Sequence, residues 1–342
     1  MSFPSGLLTP DALGQMLGFP IQQVSEVQTF MGHADRIARL FVEGELPAGS
    51  SATLIAKVYG PAWYADGLSE LRFYRELLPR TPGLPVPGLL GYWDNGPAQE
   101  CVLLLGDLSP AYQPLSFPPP SAVLERMADV LAAFHAAWWD VTELQAPAFQ
   151  RPDLDVTRMP QALDAAGLAV HAQAARQATA SFLEQQELTR RERALLERLA
   201  AHWPAVFRQR VALGQLTLIH GDLHLMGNMF HSADGVEVRI IDWATIKRGL
   251  GAHDLMFMLI SADTPDRLKR DTALIQRYHA GLREAGVSNY SLEQCLYDYR
   301  LSLLTNLFQA TLQGSLRWFR KTALLVELWD SADLLPADLL TG

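Results

Sequence analysis

The sequence predicts an α+β chain in two lobes. Residues 1–105 form an N-terminal lobe with an antiparallel sheet and one main helix, and residues 106–342 form a larger, mainly helical lobe. Three observations predict this. With 342 residues the chain exceeds the size at which one hydrophobic core keeps growing, so two cores are expected. β-Branched and apolar runs are concentrated in the first hundred residues. After Gly106 the apolar residues recur at helical spacing instead.

In chain order, a short helix precedes three strands, Val24 to Phe30, Ile37 to Val42 and Thr53 to Tyr59, with Gly32-His33-Ala34-Asp35 turning the first pair. Gly60-Pro61 breaks the third. Leu68 to Leu78 then carries Leu71, Tyr74, Leu77 and Leu78 at amphipathic helical spacing, ending at Pro79. Arg80 to Gly91, rich in Pro and Gly, reads as loop, and Cys101 to Leu105 as a buried strand ended by Gly106-Asp107. Beyond it, Val123, Met127, Val130, Leu131, Phe134 and Trp138 form a helical stripe. Gln161 to Ala180, Leu183 to Trp203 and Leu296 to Val326 are helical as well. Two short apolar segments, Leu216 to Ile219 and Val236 to Ile241, interrupt the helices, and each leads directly into polar residues.

Composition narrows the function. Hydrophobic residues at 49% and charged residues at 19% suit a globular protein. A net charge of -9 without a Lys/Arg run disfavours nucleic acid as a partner. Cys101 and Cys295 have neither disulfide-framework nor thiolate-zinc spacing. The first residues lack a secretory pattern and no apolar run is long enough to span a bilayer, so a cytoplasmic protein without membrane attachment is expected.

The densest polar cluster is His220-Gly221-Asp222-Leu223-His224-Leu225-Met226-Gly227-Asn228, directly after an apolar strand. Fourteen residues beyond Asn228, Ile240-Ile241-Asp242-Trp243 puts a second carboxylate at another strand end, and a hairpin would bring the two segments together. Phosphoryl transfer needs a carboxylate near the attacking hydroxyl, oxygen ligands for Mg²⁺ and a cation on the phosphates. Asp222, Asn228, Asp242 and Lys57 can supply these. Lys57 lies in a strand between Ala56 and Val58, where an ion-pair partner would explain it. Glu70 shares a helix face with Tyr74 and Leu77 and is the better partner, whereas Glu76 shares a polar side with Arg72.

On these residues the chain resembles the aminoglycoside phosphotransferase and choline kinase superfamily, with its ecdysteroid kinase-like branch. The catalytic loop reads like His220-Gly221-Asp222-Leu223-His224 followed by an Asn. Further likeness lies in Glu70-Leu71-Arg72-Phe73-Tyr74, in Phe134-His135-Ala136-Ala137-Trp138-Trp139, and in Ile241-Asp242-Trp243 followed by Asp254-Leu255. The resemblance covers roughly residues 10 to 260 and implies a protein-kinase-like fold. It implies an ATP- and Mg²⁺-dependent kinase, with GTP as a possible donor, acting on a small-molecule hydroxyl. Asp222 would orient or deprotonate that hydroxyl, Asn228 and Asp242 would hold Mg²⁺, and Lys57 paired with Glu70 would bind the α- and β-phosphates. Leu103 to Leu108 looks like the hinge that meets adenine, with Gly106 and Asp107 as its candidates. Asp254 would brace the catalytic loop.

Three departures from the family pattern stand out. Asn228 follows Asp222 by six residues where five is usual, as though Met226 were inserted. The turn Met31 to Asp35 has one glycine, and Trp243-Ala244 replaces a Phe-Gly pair. His220 reads as a loop brace, His135 as a satisfied core histidine, and Trp138 and Trp139 as core. His224 is divided between packing and substrate contact. Two other functions compete: a catalytically silent kinase-like nucleotide binder, and a metal-dependent hydrolase using His220, Asp222, His224, His231 and Asp242.

Overall fold

The computed structural model describes residues 7–32, 34–46, 51–81, 83–146, 149, 165–212, 215–262 and 266–335. In chain order, the elements begin with α1 (Pro10–Leu17), β1 (Ile21–Phe30), β2 (Arg36–Gly44), β3 (Thr53–Tyr59) and α2 (Tyr64–Arg72). Then come β4 (Leu89–Asn95), β5 (Glu100–Gly106), β6 (Tyr112–Pro114), α3 (Ser121–Ala137), α4 (Ala165–Gln185) and α5 (Arg190–Ala212). They are followed by β7 (Thr217–Ile219), β8 (Met229–Ser232), β9 (Val238–Ile240), β10 (Lys247–Gly249), α6 (Gly251–Leu259), α7 (Arg267–Glu284), α8 (Leu292–Leu312) and α9 (Leu316–Leu328). The chain divides into two compact units, Met1–Pro114 with Asn228–Ile246, and Leu115–Gly227 with Lys247–Gly342. The first unit thus runs past the boundary expected near Gly106 and takes up a later segment.

In the first unit β1 to β5 form one antiparallel sheet in the order β1-β2-β3-β5-β4. Because side chains alternate across a strand, the sheet has two unlike faces. On one, Ala38, Leu40, Val42, Leu54, Ala56, Val58, Val102 and Leu104 are buried in a core with Leu13 of α1 and Ile21. The register pairs Ile37 with Lys57, Arg39 with Ile55, Ile55 with Leu105 and Lys57 with Leu103, so these residues share the opposite face.

Strand β4 begins inside the stretch expected to be loop, its residues Leu89 to Gly91 overlapping that stretch. Its Pro- and Gly-rich approach hides it, and the glycine is needed: a Cβ on Gly91 would stand 2.4 Å from the Met16 carbonyl oxygen, at a register shift in the β4–β5 pairing. The helix expected from Leu68 starts earlier, at Tyr64, and after Arg72 continues as a π-helical turn, Phe73–Leu77, before a 3₁₀ turn over Leu78–Arg80. The widened turn buries Phe73, Tyr74 and Leu77 together. A second sheet in the order β6-β8-β9 contains the expected hairpin, β8 paired antiparallel with β9. The amide of Ile240 also donates to the Pro85 carbonyl at 2.8 Å, which fastens this hairpin within the first unit.

The second unit is helical apart from the antiparallel pair β7 and β10. α4 begins at Ala165, and residues 161–164 of the expected Ala-rich helix lie outside the described residues. The helix expected over Leu183 to Trp203 is broken at Gln186–Thr189. Thr189 Oγ1 accepts from the Glu192 amide and Glu192 Oε2 from the Thr189 amide, a capping box that starts α5. Gly314, with φ +65°, likewise separates α8 from α9.

A buried network ties α3, α6 and α7. His135 Nδ1 lies 2.8 Å from Tyr278 Oη and its Nε2 3.3 Å from Asp254 Oδ2. Asp254, fully buried, also accepts the amides of His220 at 2.7 Å and Gly221 at 2.9 Å. Burial alone would raise the Asp254 pKa. The hydrogen bond from His135 and the neighbouring His135, His220 and His253 rings outweigh it, bringing the pKa down to about 2.

Two predictions follow from this packing. A Cβ on Gly67 would meet the Tyr59 ring at 2.7 to 2.9 Å, at its fixed rather than its free end. Ala in a helix gains about 1 kcal/mol over Gly, and overpacking a rigid ring costs about 1–3 kcal/mol, so Gly67→Ala should lose about 1 kcal/mol net in denaturant unfolding. Because the folded pKa of Asp254 is depressed, its contribution is complete above its unfolded pKa. It is lost as pH falls from about 4 to about 2, amounting to about 2 kcal/mol. Asp254→Asn should be less stable at neutral pH and should lack that part of the acid limb when stability is followed against pH.

Candidate active site

Glu70 is the centre of the first unit's polar cluster. Lys57 on β3 reaches across to α2, its Nζ 2.6 Å from Glu70 Oε2 and 2.7 Å from Asp242 Oδ1. Tyr59 Oη donates to the same Glu70 oxygen, and the other, Oε1, accepts the Trp243 amide at 3.2 Å. Trp243 is held in turn by a parallel stack on Phe73, with ring centroids 4.0 Å apart. Burial alone would lower the Lys57 pKa. The charges of Glu70, Tyr59 and Asp242 outweigh it and hold the ammonium well above its ordinary value, so Lys57 is cationic throughout the physiological range. The same burial, reinforced by Glu70, pushes the Tyr59 phenol up, so Tyr59 stays a donor.

Asp242 adopts a left-handed backbone, φ 68° and ψ 59°, uncommon outside glycine and at home in a short polar residue. Its side chain is 26% exposed, in contrast to the buried Glu70. Asn228 is buried, and its carbonyl accepts the Ile241 amide at 3.0 Å, so hairpin β8–β9 places Asn228 beside the chain that leads into Asp242. Both bring hard oxygen donors, the kind that Mg²⁺ takes.

Gly106 ends β5, where its amide donates to the Gly88 carbonyl at 2.9 Å. Asp107 follows with its side chain buried. Its Oδ1 accepts the Ser109 amide at 3.0 Å, and its carboxylate pairs with Arg39 of β2.

In the second unit, Asp222 stands three residues past the end of β7, after Gly221 with φ +85°. Its amide donates to His220 Nδ1 at 3.4 Å and its carbonyl accepts the His224 amide at 2.9 Å, so His220 braces the loop as expected. His224 Nε2 lies 3.9 Å from Asp222 Oδ2, beyond a hydrogen bond. Leu223 and Leu225 are fully buried, whereas Met226, the additional residue of this loop, is 60% exposed.

The structure therefore brings together Lys57, Glu70 and Asp242, sets Asn228 next to them in the hairpin, and holds Asp222 in a loop fixed by Asp254. Sequence reasoning missed Tyr59 and the Trp243 amide. Tyr59 was signalled by its place two residues after Lys57, on the same strand face, while a backbone donor leaves no trace in side-chain spacing. His135 is the satisfied core histidine expected. Among the described residues no group of three or more His, Cys, Asp or Glu side chains converges so as to hold a metal ion. Nor is any helix long and apolar enough to cross a membrane.

Comparison with known proteins identifies the fold and the family. A search of curated proteins by sequence gave no significant match. Among solved structures, spectinomycin phosphotransferase APH(9)-Ia in complex with ADP and spectinomycin matches with a TM-score of 0.54 at 15% identity, covering 95% of this chain and 98% of that one. A thermostable mutant of aminoglycoside phosphotransferase APH(4)-Ia, in ternary complex with ADP and hygromycin B, matches with 0.52 at 14% identity, covering 96% and 99%. The streptomycin–ATP–APH(2")-IIa ternary complex gives 0.52 at 12% identity, covering 95% and 99%. At such identities the likeness establishes the fold, the kinase-like fold of these enzymes. The model of the phosphotransferase enzyme family (APH) matches residues 43–287, most of the chain, and on that match the chain belongs to the phosphotransferase enzyme family.

Proposed function

We propose that this protein transfers the γ-phosphoryl group of ATP, with Mg²⁺, to a hydroxyl of a small molecule such as an aminoglycoside-like compound or an amino-alcohol. The observation that carries the reading is the buried Lys57–Glu70 pair held against Asp242. A lysine kept cationic in a buried setting, beside a partly exposed carboxylate, suits phosphate oxygens and their counter-ion better than it suits a stable core.

Lys57 holds the α- and β-phosphates, and Glu70, anchored by Tyr59 and the Trp243 amide, fixes where the ammonium points. Asn228 and Asp242 are the residues that would hold Mg²⁺, which supplies charge neutralisation across the phosphate oxygens when bound. Asp222 orients the acceptor hydroxyl and takes its proton as the oxygen attacks the γ-phosphorus. Asp254 keeps the Asp222 loop in place through the His220 and Gly221 amides. The segment through Gly106 and Asp107 receives the nucleobase. Residues 1–105 would then bind nucleotide and residues 106–342 carry catalysis and the acceptor.

A second reading is a kinase-like nucleotide binder without turnover. The six-residue interval from Asp222 to Asn228, with Met226 exposed within it, favours that reading, and measured phosphoryl transfer would exclude it.

Nucleotide binding is tested first, by thermal shift with ATP and GTP, with and without Mg²⁺. Ligand at about 100 times its dissociation constant should stabilise the native state by about 2.7 kcal/mol. The Mg²⁺-dependent part of the shift should disappear in Asp242→Ala, and a wild type unmoved by either nucleotide would defeat the proposal. Once an acceptor has been found by screening, Asp222→Ala should lower kcat by about 10²-fold or more, the range of a positioned acid or base. Full activity in that variant would remove Asp222 from the mechanism.

A further inference from the structure

The sheet face that carries Lys57 is unlike the face behind it. Behind, every residue of the β2–β3 core is buried. On the Lys57 face, Ile37, Phe41 and Ile55 are only half-buried, although each is apolar and sits in the middle of a sheet. Lys57 and Tyr59 themselves are covered by Glu70 and α2, so the apolar strip is left open on the side away from them.

Arg39 stands in this strip. It pairs across the sheet with Ile55, which in turn pairs with Leu105, the residue before Gly106. Its guanidinium is held from three sides. Nη1 donates to Gln28 Oε1 at 3.0 Å and Nη2 to Asp107 Oδ1 at 3.3 Å. Nε lies 2.9 Å from Asp107 Oδ2 without hydrogen-bond alignment, so that approach is ionic. The guanidinium carbon also lies 5.5 Å from the centre of the Phe30 ring on β1. Asp107 is 3% exposed in its side chain and Arg39 23%, so the anchor is buried and the plate it holds is partly open. An arginine that only closed a surface ion pair would contribute little and would need no such fixing.

We propose that Arg39, oriented by Asp107, is a nucleobase-binding residue: its guanidinium stacks on the purine, which lies along Ile37, Ile55 and Phe41. This rests on the nucleotide reading above. With the α- and β-phosphates at Lys57, the base falls farther along the sheet. Ile55 lies two residues away, about 7 Å at the rise of an extended strand, on the same face. A fixed planar cation over an apolar floor recognises a flat π-system, and a purine meets both requirements. Asp107 then acts through its side chain as a positioning residue, in addition to any contact from its backbone.

Arg39→Met removes the plate while keeping a long side chain. Arg39→Lys keeps the charge and the Asp107 pair but not the plane. The affinity for Mg²⁺–ATP is measured for both and for wild type, with unliganded melting temperatures as the folding check. Inorganic tripolyphosphate is then used to displace bound ATP. Both variants should bind Mg²⁺–ATP about tenfold more weakly, within the range that a stacked guanidinium provides, while the inhibition constant of tripolyphosphate stays within about twofold of wild type. Wild-type ATP affinity in either variant would overturn the proposal. So would an equal loss for ATP and tripolyphosphate, which would make Arg39 a phosphate-end or purely structural charge. If wild type binds no nucleotide at all, the parent reading has failed, and this is seen before any variant is made.

Discussion

The first unit is organised around one buried carboxylate. Glu70 is inaccessible to solvent and has three donors: the Lys57 ammonium, the Tyr59 hydroxyl and the Trp243 amide. A lone carboxylate in that place would carry a heavy desolvation penalty. Here Lys57 lies beside it and two neutral donors sit on its oxygens, which offsets that penalty. The pair adds little net stability, but removing one partner would leave the other charged and buried, at a cost of about 3–5 kcal/mol. The arrangement therefore specifies geometry more than it supplies stability. It joins β3 and the neighbouring α2 to the turn after β9, which brings in Trp243, 173 residues beyond Glu70.

That geometry depends on the phase of α2. Glu70 must meet Lys57 while Phe73, one turn later, stacks on Trp243, and Gly67, one turn earlier, lies against the Tyr59 ring. Positions 67, 70 and 73 fall along one side of a helix, so a single face makes all three contacts. The π turn begins at Phe73, the last of these positions, and its change of pitch buries Tyr74 and Leu77 beyond them. A glycine at 67, normally a weak point in a helix, is what allows the ring to come so close.

Much of this was legible in the sequence, and the reasons are specific. Thr53 to Tyr59 reads as a strand because it is β-branched and apolar, and a lysine within it stands out for the same reason. Glu70 could be preferred over Glu76 because helix periodicity assigns one to the apolar side, and Arg72 does bond Glu76 at 3.1 Å. What was not legible has equally specific causes. β4 was hidden because Gly88 and Gly91 resemble loop, whereas Gly91 lets the strand pass the Met16 carbonyl. The break between α4 and α5 depends on a capping box too short to interrupt the apolar pattern. The Asp242 pairing with Lys57 spans 185 residues, and no local pattern encodes such a contact.

A common device underlies the two carboxylates on which the proposed chemistry rests. Asp242 and Asp222 are each partly exposed, at 26% and 22% of their side chains, and each sits next to backbone held by a second, buried carboxylate. Glu70 binds the amide of Trp243, directly after Asp242, and Asp254 binds the amides of His220 and Gly221, directly before Asp222. In each case the buried acid is itself kept in place by a cation or an imidazole. A carboxylate that must meet a ligand cannot also be buried, because desolvation would raise its pKa and its oxygens would already be occupied. Fixing the adjacent amides from behind resolves this. The working side chain stays open while the main chain that aims it is held, so little reorganisation is needed when charge develops.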